Sequence, residues 1–125
     1  MVSPNDSLRG GAFWVIDHDG LFKTLLSTFF PEFLELFAPD ILTFGNVNAW
    51  TLTETELFHE RHGPGKKRAD LVARIPWIHD PTDHFFVHIE IQSHVQPNFS
   101  HRMFHYFLRL YGMHDAPIYP IALFT

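Results

Sequence analysis

Three polar side chains whose types and spacing can do chemistry sit in two short apolar segments: Asp70 in RADLV, then Glu90 and Gln92 in VHIEIQS. In an extended segment 85–92, Phe85, Val87, Ile89 and Ile91 share one face, and Phe86, His88, Glu90 and Gln92 share the other. Glu90 and Gln92 then point the same way, about 6.5–7 Å apart along the strand. In the preceding segment Leu71, Ala73 and Ile75 alternate with Asp70, Val72 and Arg74. If the two strands pair as a hairpin, Asp70, near the start of one, comes beside Glu90 and Gln92, at the end of the other. Two facing carboxylates repel unless positive charge lies between them, and an oxygen-ligated Mg²⁺ or Mn²⁺ is the usual answer. A solvated polar face on an antiparallel sheet has the same alternation. Spacing alone admits both.

The elements that must position these residues read as α-α-β-β-β-α-β. From Asp17 the pattern is helical: Leu21, Leu25 and Phe29 recur at four-residue spacing, with Phe22 and Leu26 on the adjoining row. Asp17 or Asp19 can cap this helix. Pro31 suits the first turn of a second helix over 32–37, and Pro39 closes it. Trp50, Leu52 and Leu57–Phe58 are the best strand material in 41–58. HERHGPGKKR (59–68) reads as a turn around Gly63-Pro64-Gly65. Strands over 69–75 and 85–93 are separated by the turn-forming His79-Asp80-Pro81-Thr82-Asp83. Asn98 or Ser100 can cap a helix running to about 114, with Met103, Phe104, Phe107, Leu110 and Tyr111 expected on its core side. Ile118–Phe124 reads as a buried strand. The expectation is an α/β fold, a mixed sheet flanked by helices. Residues 1–12 read as a loose polar arm and 13–125 as one domain, the N-terminal part of a longer protein.

Composition narrows the function classes. The chain has 125 residues, 46% hydrophobic and 18% charged, which is ordinary for one globular domain. It has no cysteine, which excludes disulfides, a thiolate nucleophile and cysteine-ligated metal. The net charge of −5 argues against a globally basic nucleic-acid coat but suits an enzyme that holds a cation with carboxylates. No apolar run reaches a membrane span and no signal peptide opens the chain, so no membrane partner is expected and a cytoplasmic location is. Fourteen phenylalanines suggest a thick core or a buried interface.

Asp70 followed by Glu90-Ile91-Gln92 resembles the PD-(D/E)XK nuclease pattern, with Gln replacing Lys. HDGLFKTLL (18–26), HRMFHYFLRLY (101–111) and PIYPIALF (117–124) extend the likeness over residues 17–125. Together they resemble the recombination-promoting nuclease, or PD-(D/E)XK transposase-like, family. The resemblance implies a restriction-endonuclease-like αβββαβ core and Mg-dependent (or Mn-dependent) endonucleolytic cleavage of DNA. Carried over by position, Asp70 and Glu90 ligate the metal with the Ile91 carbonyl beside them, Gln92 takes the lysine place, and Asp19 is a further acidic group. Glu56 is a less specific candidate. A catalytically degenerate fold, kept as a DNA-binding or assembly module, is the alternative.

Other residues add to this frame. Lys66, Lys67 and Arg68 immediately precede Asp70 and can grip DNA phosphates or simply form a charged, solvated turn; Arg102 can serve similarly. Gln92 can orient water by hydrogen bonding but cannot be a base near neutral pH, which leaves a histidine such as His88. His101 and His105, or His59 and His62, could each donate two zinc ligands to a zinc-dependent hydrolase. The need to cut two strands, with the phenylalanine excess, makes a homodimer the expected assembly.

Overall fold

Alternation of apolar residues in 71–75 and 85–91 builds the two central strands of a mixed sheet in the computed structural model, which describes residues 18–53, 56–59, 66–92, 94 and 96–124. In chain order the elements are α1 (His18–Thr28), α2 (Phe30–Phe37), two short 3-10 turns (Pro39–Thr43 and Val47–Ala49), β1 (Thr51–Leu52), β2 (Glu56–His59), β3 (Lys66–Arg68), β4 (Leu71–Pro76), β5 (His84–Gln92), α3 (Phe99–His114) and β6 (Ile118–Phe124). The main sheet has the order β1-β4-β5-β6, and β2 and β3 form a separate two-stranded ribbon. β1 and β5 both run antiparallel to β4, whereas β6 runs parallel to β5. A parallel neighbour needs a crossover, and α3 supplies it.

The β4–β5 turn forms for local reasons. Asp80 accepts both the main-chain N–H and the hydroxyl of Thr82, at 3.1 and 2.6 Å, and Asp83 donates its N–H to the Asp80 carbonyl. The resulting register sets Leu71 against Ile89, Ala73 against Val87 and Ile75 against Phe85. All six belong to one core with Leu26, Phe30, Phe33 and Leu34 of the first two helices. On the opposite face Val72 and Phe86 pack with Tyr106 and Leu110 of α3. The two apolar sets of β5 thus meet different helices, as a period of two requires.

Several expectations are corrected. Leu21 and Leu25 of α1, with Phe29 just past its end, form the longest apolar row, yet they are exposed, and among the described residues of that helix only Leu26 is buried. α3 is rotated similarly: Tyr106 and Leu110 are buried, while Phe104 and Tyr111 face outward. A stripe about 100° wide suffices to bury a helix, and each of these helices carries more apolar surface than that. Lys66-Lys67-Arg68 is not a turn but the strand β3, paired with β2 across a bulge. Asn98 stands at the N-cap of α3 without a side-chain capping bond, since its backbone (φ −99°, ψ 17°) leaves the extended region such a cap uses. The expected arm, residues 1–12, lies outside the described residues. Among the described residues no helix is long and apolar enough to cross a membrane.

Candidate functional site

The site begins where β4 and β5 part company with the hairpin register. Leu71 is the last paired residue of β4, opposite Ile89, so Asp70 comes level with Glu90. There each acidic side chain accepts a main-chain hydrogen bond from the other strand. The Asp70 N–H donates to Glu90 Oε2 at 2.8 Å, and the Ile91 N–H donates to Asp70 Oδ2 at 2.8 Å. Each carboxylate is held by a backbone donor of the other strand, which fixes the pair as part of the ladder. Hydrogen bonds to a carboxylate are the strong kind, worth about 1.5–3 kcal/mol each.

His88 completes this arrangement. Its Nε2 lies 2.9 Å from Glu90 Oε2, and the two residues are 0% and 4% exposed. The Nε2–H donates and the carboxylate oxygen accepts, which turns the imidazole Nδ1 away from Glu90. That Nδ1 is buried with no hydrogen-bond partner among the described residues. Tyr106 of α3 closes over the imidazole edge-on, with ring centroids 5.7 Å apart. The α3 face of the sheet therefore carries a buried polar row, His88–Glu90–Gln92, roofed by an aromatic helix. Gln92 is itself buried, and its amide Nε2 donates to the Ile91 carbonyl at 3.3 Å.

Of the residues singled out from the sequence, Asp70, Glu90, Ile91 and Gln92 come together. Asp19 lies in the first turn of α1 and Glu56 in β2 opposite Arg68; the side chains of both are outside the described residues, as are those of Lys66, Lys67 and Arg68. Arg68 stands two positions before Asp70, so the basic strand runs directly into the acidic corner. Arg102 is turned to its own helix end, where its guanidinium bonds Gln96 Oε1 and lies 5.4 Å over the Phe99 ring. His101 and His105 lie next to each other on the exposed side of α3, their ring planes tilted by 51° at a centroid distance of 4.4 Å. His62 is outside the described residues, as is the His59 side chain. Tyr106 was missed by sequence reasoning, because the helical pattern alone did not single it out for the sheet side.

The donor set tests the implied metal. Two carboxylates and a main-chain carbonyl are all oxygen, the ligand type that hard Mg²⁺ and Mn²⁺ take, and Mg²⁺ typically needs only one or two carboxylates beside water and phosphate. Among the described residues no three His, Asp or Glu side chains are grouped to hold a metal ion, so the Asp70–Glu90 pair is the acidic contribution they offer. The residues fit such an ion in kind. Further along the same sheet face His114 stacks on Phe86, and burial, with a smaller contribution from His84, pushes its pKa below the ordinary histidine value. No protein-family model, curated protein or solved structure matches the chain.

Proposed function

We propose that the chain is a metal-dependent DNA endonuclease domain of the transposase-like, recombination-promoting kind, hydrolysing phosphodiester bonds on a restriction-endonuclease-like core. The observation that carries this reading is the pair of backbone hydrogen bonds, Asp70 N–H to Glu90 Oε2 and Ile91 N–H to Asp70 Oδ2, that fixes both carboxylates at the end of one antiparallel strand pair. Acidic side chains brought to the same end of two adjacent strands suit a cation. Asp70 and Glu90 would hold Mg²⁺ or Mn²⁺, with the Ile91 carbonyl adjacent. When bound, the ion offsets negative charge growing on the phosphate and makes water a better nucleophile. His88 keeps the Glu90 carboxylate in place through its Nε2–H. Gln92 orients by hydrogen bonding and takes no proton. The basic run 66–68 supplies phosphate contacts beside the acidic corner.

A second reading has its own observation. Gln92 puts an un-ionisable amide in the lysine place and directs it to the Ile91 carbonyl, while Glu90 Oε2 already accepts two hydrogen bonds. A site engaged in this way suits a DNA-binding or assembly module that no longer cuts.

Supercoiled plasmid incubated with the chain in Mg²⁺, Mn²⁺ or EDTA separates the two. The endonuclease reading expects metal-dependent nicking that falls about 100-fold or more in Glu90→Ala. Retarded migration of plasmid with no nicking in any metal would establish the binding module instead.

A further inference from the structure

The apolar row of α1 that the core leaves uncovered continues onto α2. Leu21, Leu25, Phe29, Leu36 and Phe37 are all exposed, Leu36 by 72%, Phe37 by 61% and Phe29 by 53%. Between the two helices, and reaching Leu123 of β6, runs an apolar cleft of about 340 Å³. Leu36 and Phe37 form part of its lining.

Two observations say what covers this surface. The first is area. With each of the five side chains exposing on the order of 100 Å², the patch is about 500 Å², near the upper end of what a monomer leaves bare. A stable interface takes about 800 Å² from each partner, and in homodimers about 65% of it is apolar, which is again about 500 Å². The second is the polar flank of α1. The hydroxyls of Thr24, Ser27 and Thr28 donate to the carbonyls of Gly20, of Lys23 and Thr24, and of Thr24. Their donors are used within the helix, so covering them strands no hydrogen bond.

From this we infer that the α1–α2 face is the contact between two copies of this chain, related by a two-fold axis, with the exposed Leu36 and Phe37 of each copy packed against the same face of the other. The pairing is isologous, so one such face per chain closes the assembly at two. It leaves the α3 face and the Asp70–Glu90 corner, on the other side of the sheet, uncovered in both copies. The inference does not depend on the chain being a nuclease.

Light scattering coupled to size exclusion, on the full 125-residue chain over about 1–100 μM, tests it. A dimer is expected, with a dissociation constant raised at least about tenfold by Phe37→Glu and unchanged by Phe104→Glu, which sits on the outer face of α3. Circular dichroism melting confirms that each variant folds; should Phe37→Glu unfold, Leu36→Glu, at the most exposed position of the patch, replaces it. A wild-type monomer at the highest concentration overturns the proposal and leaves the cleft to a different protein or to the chain's own first 17 residues. So does a dimer that survives Phe37→Glu and Leu36→Glu, since its interface lies elsewhere.

Discussion

Glu90 keeps its carboxylate in a buried position because two donors, the Asp70 N–H and His88 Nε2–H, converge on one oxygen. Removing the imidazole in His88→Ala takes one donor away and opens a cavity under Tyr106, so the variant should lose about 2–4 kcal/mol in urea denaturation. His114 sets a different dependence. Its folded pKa is depressed by burial first and by His84 second. The unfolded chain therefore takes up that proton first as pH drops below about 6.5, and the stability that is whole above this value falls through the interval beneath it. His114→Phe retains a ring on Phe86 without the proton. Urea midpoints at about pH 7.5 and 5.5 should differ less in the variant than in the wild type.

Two glycines separate the effect of an element from that of its surroundings. A Cβ on Gly45 would come 2.7 Å from Cζ and 2.9 Å from Cε1 of Phe85. That ring is buried and hemmed by Phe44 and Trp77, at centroid distances of 5.4 and 4.5 Å, so it cannot retreat. Gly45→Ala should cost about 1–3 kcal/mol by thermal melting. Gly112 lies inside α3 with nothing near its added Cβ, and Gly112→Ala should gain about 0.5–1 kcal/mol in the same experiment. α3 ends at Asp115, whose left-handed backbone (φ 49°) lets its N–H close on the Tyr111 carbonyl before the chain turns into β6. The core-facing side of that helix was legible only in part. Leu110 follows from the apolar pattern, but Phe104 and Tyr111 fit the pattern equally well, and the sheet selects Tyr106 instead because it lies over His88 and Phe86.

At the scale of the whole molecule, helices cover both faces of one four-stranded sheet, and the acidic corner lies on the face roofed by α3. If Asp70 and Glu90 hold a divalent cation, binding stabilises the folded chain by mass action. Mg²⁺ at ten times its dissociation constant should add about 1.4 kcal/mol, a few degrees in Tm. Asp70→Asn and Glu90→Gln keep acceptors for the Ile91 and Asp70 N–H groups, so both should fold, and both should lose the Mg²⁺-dependent shift measured by scanning calorimetry. Retention of the shift in both variants would place the cation elsewhere.

The sequence by itself determined the faces of β5, the turn at 79–83, and from these the meeting of Asp70 with Glu90. Strand alternation and turn chemistry are local, and a hairpin turns local facts into one register. Only the tertiary structure decided which apolar residues of α1 and α3 are buried, because both helices offer a wider stripe than one sheet face can cover. The strand character of Lys66–Arg68 was tertiary too, since a charged trio next to a glycine-proline turn becomes a strand by pairing with β2. So was the bond from His88 to Glu90. Alternation places the two on one face, but side chains two apart on a strand are about 6.5–7 Å apart at the backbone, and it takes burial under Tyr106 to turn one toward the other.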